Sequence, residues 1–207
     1  MHIPDGFLST PVWSSTWLLS AGGISYCVKK TKQSLKGKMV PLMGVMSAFI
    51  FAAQMINFPV AGGTSGHLLG GVLAAVLLGP YAGAVVITCV LVVQSLLFQD
   101  GGITALGANI FNMSLVGTIG GYSVYYMITK LIKNNKGVMI GAAVSAWLSV
   151  IMASSACAVQ LAFSGTTPFE VVLPAMVGVH ALIGIGEAII TCLVLGFVLK
   201  VRPDLLA

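Results

Sequence analysis

Charged residues are scarce in this 207-residue chain. Asp, Glu, Lys and Arg make up only 7% of it, against about 25% in a typical soluble domain. Hydrophobic residues reach 57%, and the mean hydropathy is +1.02. This composition excludes a water-soluble globular protein. It predicts an all-α polytopic membrane protein whose surroundings are the lipid bilayer, with no nucleic acid among its partners.

The chain also lacks paired cysteines and a phosphate-binding loop. Its four cysteines stand singly in apolar segments without CxxC spacing, so we expect them to serve packing rather than disulfides or a zinc site. No GxxxxGK[ST] motif occurs, so we expect no nucleotide to be bound by this chain. Any ATP hydrolysis would take place on separate chains. No basic segment precedes the first apolar run, so we expect no cleaved signal peptide and a mature N-terminus as written.

Apolar segments predict a single transmembrane domain, residues 1–207, with about seven helices. The approximate spans are 11–28, 39–57, 68–79, 81–98, 103–129, 137–163 and 172–199. A reversal at Gly79-Pro80 would put all ten Lys and Arg on one side of the membrane, as the positive-inside rule favours. We therefore predict a protein of the prokaryotic cytoplasmic membrane. Its N-terminus would be outside and tucked into the bundle, and its C-terminus inside.

The predicted external face carries acids and no Lys or Arg. Its acids are Asp5, Asp100 and Glu170, so this face should mildly concentrate cations. The third predicted span has only twelve residues, which reach about 18 Å as a helix. It would therefore begin within the bilayer and place His67 below the external surface.

The first six residues look suited to binding a metal ion. Pro4, Asp5 and Gly6 favour a turn that would fold Met1 and His2 back onto the chain. Those two residues then offer three nitrogens, namely the α-amine, the His2 amide and the His2 imidazole. Five- and six-membered chelate rings in one plane suit Ni(II) or Cu(II) better than tetrahedral Zn(II). The alternative is an incidental His after an initiating Met.

A second histidine follows a Gly-rich segment on the same predicted face. We predict that Phe58–His67 is a polar, non-helical loop, of the kind tolerated at membrane depth only inside protein or along a cavity. His67 would then supply a fourth nitrogen. Thr64 and Ser65 would hydrogen bond around the ion. The alternative is a solvated ring next to a helix start.

Several other polar residues carry open alternatives. His180 and Glu187 are seven apart and share a helix face, where they could form a proton or metal relay, an intramembrane hydrolase site or a structural contact. Asn109 and Asn112 could bond the metal-binding loop or bridge helices. Asp5 could orient His2 or the amine, or could cap a turn.

Small residues form a stripe on the second predicted span. Gly44, Ala48 and Ala52 are spaced four apart, which permits close helix packing. The stripe could dock a partner subunit or pack within the monomer.

Four segments resemble the CbiM/NikM family. They are Met1–Leu8 (MHIPDGFL), Gly62–Gly71 (GGTSGHLLGG), Gly101–Met113 (GGITALGANIFNM) and His180–Thr191 (HALIGIGEAIIT). The resemblance implies the substrate-binding membrane subunit (S component) of an energy-coupling factor transporter. It implies a bound metal held by the amine of Met1, the amide and imidazole of His2, and the imidazole of His67.

The same resemblance implies a function and a set of partners. The implied function is ATP-dependent uptake of Ni²⁺ or Co²⁺ as the transported substrate, with cobalt uptake for cobalamin biosynthesis as the alternative to nickel. The implied partners are a coupling transmembrane subunit, two ATPase subunits and a small accessory membrane protein. In this class of transporter, alanine stripes dock the coupling subunit.

Two functions of other classes remain open on the sequence. An intramembrane enzyme would use His180 and Glu187, and a stand-alone channel or secondary transporter would need no partners. The sequence shows no inverted repeat, which disfavours a secondary transporter.

Overall fold

Seven helices make up most of the computed structural model, which describes residues 1–35, 37, 39–60 and 64–205. Lys36 and Lys38 of the basic loop, and Gly62 and Gly63 of the Gly-rich segment, lie outside the described residues. In chain order the first four helices are α1 (Thr10–Ser34), α2 (Met39–Gln54), α3 (Gly71–Leu78) and α4 (Pro80–Phe98). Helix α5 has three parts (Leu106–Ile110, Phe111–Gly120, Gly121–Leu131), and α6 (Asn135–Phe163) and α7 (Phe169–Val201) complete the set. The predicted all-α membrane fold is confirmed.

Three of these helices are long and apolar enough to cross a bilayer, namely α4, α6 and α7. Helix α2 is apolar but shorter, with 16 residues. Many large apolar side chains on α7 point outwards, including Leu182, Leu193 and Phe197. Outward apolar faces are what lipid requires, and the protein is a multi-pass membrane protein. The orientation of the two termini stays a prediction.

Helix α3 lies at the centre of the bundle, because all eight of its residues are buried. The predicted twelve-residue span was too long, since Leu68–Gly70 form a turn with Gly70 at φ 74°. At about 1.5 Å per residue, α3 is about 12 Å long and cannot cross the bilayer alone. The predicted break at Pro80 is confirmed. Gly79 has φ 84° and α4 begins at Pro80.

The described residues of the Gly-rich segment form the two strands of a β-hairpin rather than the loop that we predicted. Strand β1 (Asn57–Val60) pairs antiparallel with β2 (Thr64–His67), with Asn57 opposite His67. The sequence misled because four-residue strands that contain Pro59 and Gly66 show no clear alternation. The paired strands satisfy part of the backbone hydrogen bonding of a segment whose second strand is largely buried.

The middle part of α5, Phe111–Gly120, has π-helical hydrogen bonding. Buried polar side chains join this part to its neighbours. The side-chain amides of Asn112 and Gln160 exchange two hydrogen bonds of 2.8 and 2.7 Å between α5 and α6. Ser114 donates to the Ala84 carbonyl of α4 at 2.6 Å. Of the two roles predicted for Asn112, the contacts show the bridging of helices.

Helices α1 and α5 cross at Gly107, and this contact leads to a stability prediction. A Cβ there would lie 2.6 Å from the Cα of Trp17, which is backbone that cannot rotate away. We expect Gly107→Ala to lower the free energy of unfolding by about 1–3 kcal/mol through overpacking. Gly22→Ala on exposed α1 is the matched control, since no atom lies within 4 Å of its added Cβ. Thermal unfolding in detergent measures both, and equal midpoints for the two variants would contradict the close crossing.

Candidate metal centre

The N-terminal segment is inserted into the bundle. Met1 and Ile3 are fully buried, and His2 is 3% exposed. Asn109 of α5 holds the backbone of Ile3 on both sides, accepting from its N–H at 2.8 Å and donating to its carbonyl at 3.2 Å. The Gly102 N–H donates to the same carbonyl at 2.9 Å. These contacts fix where Met1 and His2 lie.

Asp5 anchors the same segment further along. Its carboxylate accepts from the Ile103 N–H at 3.0 Å, the Thr104 N–H at 2.7 Å and the Thr104 hydroxyl. The hydrogen bond from the Thr104 hydroxyl is the main cause that holds the pKa of Asp5 below its usual value. Of the roles predicted for Asp5, these contacts show the capping role, on the residues just before α5. Its carboxylate makes no hydrogen bond to His2 or to the amine among the described residues.

The amine of Met1 lies against β2. It donates to the Ser65 carbonyl and lies 3.3 Å from the Ser65 hydroxyl. The His2 N–H lies 3.4 Å from the same hydroxyl. Met1 and His2 both lie outside the membrane-spanning helices. Burial lowers the pKa of the Met1 amine to about 5, so the amine is neutral near pH 7.

The His2 ring has one nitrogen bonded and one nitrogen free. Its Nε2 lies 3.1 Å from the side-chain oxygen of Gln94. In the tautomer in which Nε2 donates to that oxygen, Nδ1 presents a lone pair. Nδ1 makes no hydrogen bond, although it lies 3.2 Å from Oδ1 of Asp100. Burial lowers the pKa of His2 to about 3, so the ring is neutral.

The His67 ring also has one bonded and one free nitrogen, but here Nδ1 is bonded and Nε2 is free. Its Nδ1 donates to the Leu68 carbonyl at 2.7 Å, so its Nε2 presents a lone pair, and that atom has no partner. The rings of His2 and His67 stack with centroids 4.6 Å apart and planes at 26°. The structure thus brings Met1, His2 and His67 together. Binding one ion in a single plane would turn the rings out of this stack, because each lone pair lies in the plane of its ring.

Two nearby residues were not predicted as part of this site, namely Gln94 and Asp100. Gln94 is a fully buried amide in an apolar helix, which is a signal that sequence reasoning could have used. Asp100 was predicted only as an external charge. Thr64, which we predicted close to the ion, donates its hydroxyl to the sulfur of Met176 at 3.0 Å instead.

Side chains alone do not supply three or more ligands to one ion in the part of the chain that the structure describes. No group of three or more His, Cys, Asp or Glu side chains is clustered there for an ion. A four-nitrogen site at this place therefore needs the main-chain nitrogens of Met1 and His2.

A family comparison identifies the chain. The family model of the cobalt uptake substrate-specific transmembrane region, CbiM, matches residues 2–205. The chain belongs to the CbiM family.

Several relatives match this CbiM chain over almost all of its length. A relative from Archaeoglobus fulgidus is 39% identical over an alignment of 208 positions, which covers 100% of this chain and 68% of the relative. A fused nickel transport protein NikMN of Rhodobacter capsulatus is 35% identical, covering 100% of this chain and 64% of that protein. A cobalt transport protein CbiM of Acetoanaerobium sticklandii is 31% identical, covering 99% and 86%.

A solved structure has the same fold. The crystal structure of a truncated transition metal transporter superposes with a TM-score of 0.90 at 36% identity, covering 97% of this chain and 99% of that one. The named relatives are transport proteins rather than enzymes, one for nickel and one for cobalt.

The polar pair on α7, His180 and Glu187, makes two different sets of contacts in this CbiM chain. Glu187 accepts from the Leu69 and Gly70 N–H groups at 2.7 and 2.6 Å, while Gln54 donates to the Leu69 carbonyl at 2.7 Å. The turn that follows His67 is therefore held on both sides. His180 donates from Nδ1 to the Met176 carbonyl at 2.7 Å, and its Nε2 has no partner.

The small-residue stripe faces outwards. Gly44, Ala48 and Ala52 are all exposed on α2, and no atom lies within 4 Å of a Cβ built at Gly44. Packing inside the monomer, one of the two predicted roles of the stripe, is therefore not what these residues do.

The clamp on Ile3 gives a testable prediction. Asn109→Leu removes both hydrogen bonds to the Ile3 backbone and costs about 1–3 kcal/mol of local stability. We expect the Met1 amine to become reactive towards an acylating reagent. Asn112→Leu is the matched control, because it breaks only the pair with Gln160. Equal acylation of both variants would contradict the clamp.

The turn held by Glu187 gives a second prediction. Glu187→Gln has a single acceptor oxygen for two N–H groups, so we expect the position of His67 to loosen and Ni²⁺ affinity to fall about 10-fold, or about 1.4 kcal/mol. The matched control is Glu170→Gln on the exposed first turn of α7. Isothermal titration with NiCl₂ measures both, and unchanged affinity in Glu187→Gln would contradict the positioning role.

Proposed function

We propose that this chain is the metal-binding subunit of an ATP-dependent uptake system for Ni²⁺ or Co²⁺. Its ligands would be the Met1 amine, the His2 amide and imidazole, and the His67 imidazole. The observation that carries the proposal is the buried N-terminus. It puts the amine and the amide against Ser65, beside two imidazoles that each keep a free lone pair.

Nitrogen ligation makes nickel the better substrate. Four nitrogens in a plane suit Ni(II) by geometry, whereas Mg²⁺ prefers oxygen and Zn²⁺ a tetrahedron. Binding through the His2 amide releases its proton, so the affinity should rise with pH. The loss of that proton also leaves net charge +1 on the complex, which costs less than a 2+ ion in a low-dielectric bundle.

Cobalt is the second candidate substrate, and one specific finding favours it. The family model that matches the chain carries the name of cobalt uptake, and a relative is named a cobalt transport protein. In that case the same four nitrogens would hold Co²⁺, for use in cobalamin biosynthesis.

Transport would be powered from outside this chain. The sequence has no P-loop, so a coupling transmembrane subunit and two ATPase subunits would drive the motion, with a small accessory membrane protein alongside. The outward stripe of Gly44, Ala48 and Ala52 supports docking of the coupling subunit. An enzymatic role for Glu187 is disfavoured because two backbone N–H groups already occupy its carboxylate.

One added residue tests the ligand set. A Gly placed before Met1 moves the free amine away from Ser65 while it leaves every side chain intact. We expect the nickel content of the purified chain to fall at least 10-fold, because a chelate ring is lost. The control carries the same Gly after position 207. Metal analysis by mass spectrometry measures both, and equal nickel in the two chains would exclude the proposed ligands.

A further inference from the structure

A cavity of about 680 Å³ lies against His2 at the end of the bundle that carries the hairpin. We call it the vestibule, and its lining includes His2, Asp5, Asn57, Ser65 and Asp100. Six water molecules at about 30 Å³ each fill about 180 Å³, so the vestibule admits a divalent ion with its hydration shell. Its described lining holds two carboxylates and no Lys or Arg, which favours cations.

The two carboxylates differ in the hydrogen bonds that they already accept. The Asp5 carboxylate is held by the three donors of Ile103 and Thr104. Asp100 accepts one long hydrogen bond on Oδ2, from the Asn57 side chain at 3.5 Å. No hydrogen bond reaches its Oδ1 from the residues that the structure describes. Among the carboxylate oxygens of the described lining, Asp100 Oδ1 is therefore the one that no hydrogen bond occupies.

The free oxygen faces the free nitrogen of His2. Asp100 Oδ1 lies 3.2 Å from Nδ1, and neither atom carries a proton when Nε2 donates to Gln94. In that tautomer the two acceptors repel each other unless a cation lies between them. Metal bonds of about 2.0–2.2 Å at a right angle separate two neighbouring ligands by about 2.8–3.1 Å. The observed separation is close to that value.

The C-terminal end of α4 positions Gln94 and Asp100, the two residues that lie against the His2 ring. Gln99 takes the left-handed conformation at φ 56°, and the Asp100 N–H donates to the Gln94 carbonyl at 3.1 Å. The same Gln94 places its side chain against His2 Nε2. One helix terminus thus sets the tautomer of His2 and puts a carboxylate opposite its free nitrogen.

We propose that Asp100 Oδ1 and His2 Nδ1 form a capture site for a hydrated divalent ion, ahead of the four-nitrogen site. This inference rests on the proposed function. Two water ligands leave the ion as the oxygen and the nitrogen bind, and no electron is transferred. The amine, the amide and His67 then replace further waters, and the amide proton leaves to solvent. A square-planar ion keeps no further ligand, so the carboxylate and the last water are released.

Binding kinetics of the full chain with NiCl₂ test the capture site. Stopped-flow absorbance of the nitrogen-ligated Ni(II) band gives the association rate for the unaltered chain and for Asp100→Asn, which keeps the size of the side chain. The matched control, Glu170→Gln, removes an equal charge from an exposed position outside the vestibule lining. Asp100→Glu tests rescue by a longer carboxylate.

We expect Asp100→Asn to slow association about 10-fold while its final spectrum and thermal midpoint match those of the unaltered chain. Glu170→Gln should stay within twofold, and Asp100→Glu should recover most of the rate. Four results would overturn the proposal: an Asp100→Asn rate within twofold of the unaltered chain, equal slowing in Glu170→Gln, a changed final spectrum or a lowered midpoint. Failure of the proposed function looks different, because the unaltered chain would then show no nitrogen-ligated band.

Discussion

The packing of the chain's first three residues inside the bundle is the constraint on which the rest of the site depends. An amine and an amide become neighbours of two imidazoles only because Asn109 grips Ile3 and Ser65 receives Met1 and His2. Burial also keeps these nitrogens neutral, since charged forms lose their hydration there. The surrounding helices form the pocket that encloses these three residues.

The second histidine is positioned from the opposite direction. Strand β2 carries His67 inwards, and the turn after it is held by Glu187 from α7 and Gln54 from α2. Helix α7, whose Glu187 is 118 positions from Leu69, thus meets α2 and β2 at one short turn. A rigid turn helps to fix the tautomer of His67, because the carbonyl that receives its Nδ1 proton belongs to that turn.

Composition and local motifs were enough to predict much of the fold and of the candidate site. Scarce charge and long apolar runs predicted the helical membrane fold, and Pro80 predicted the separation of α3 from α4. The pairing of residues 1–2 with His67 followed from turn chemistry, the predicted topology and family resemblance. The hairpin was missed because its strands are too short to show a period. The third span was predicted too long because Leu69 and Gly70, which precede α3, are held outside the helix by Glu187, 118 positions from Leu69.

Long-range contacts also explain the residues that were overlooked. Gln94 faces His2 across 92 positions of sequence, and no local pattern encodes which helix face meets the N-terminus. The sequence predicted Asp100 as a surface charge because it lies in a Gly-rich turn that follows an apolar helix. Its proximity to His2 comes from the reversal at Gln99, a conformation that non-glycine residues rarely adopt.

The short, wholly enclosed helix α3 bears on how this protein is assembled. A segment about 12 Å long cannot be recognised as a span by the insertion machinery, because the hydrocarbon layer is about 30 Å thick. We expect it to pack after longer neighbours such as α4 and α7 have entered the bilayer, and the hairpin attached to it to pack with it. Sequence changes that weaken the final packing would therefore yield molecules that are correctly embedded in lipid but empty of cargo.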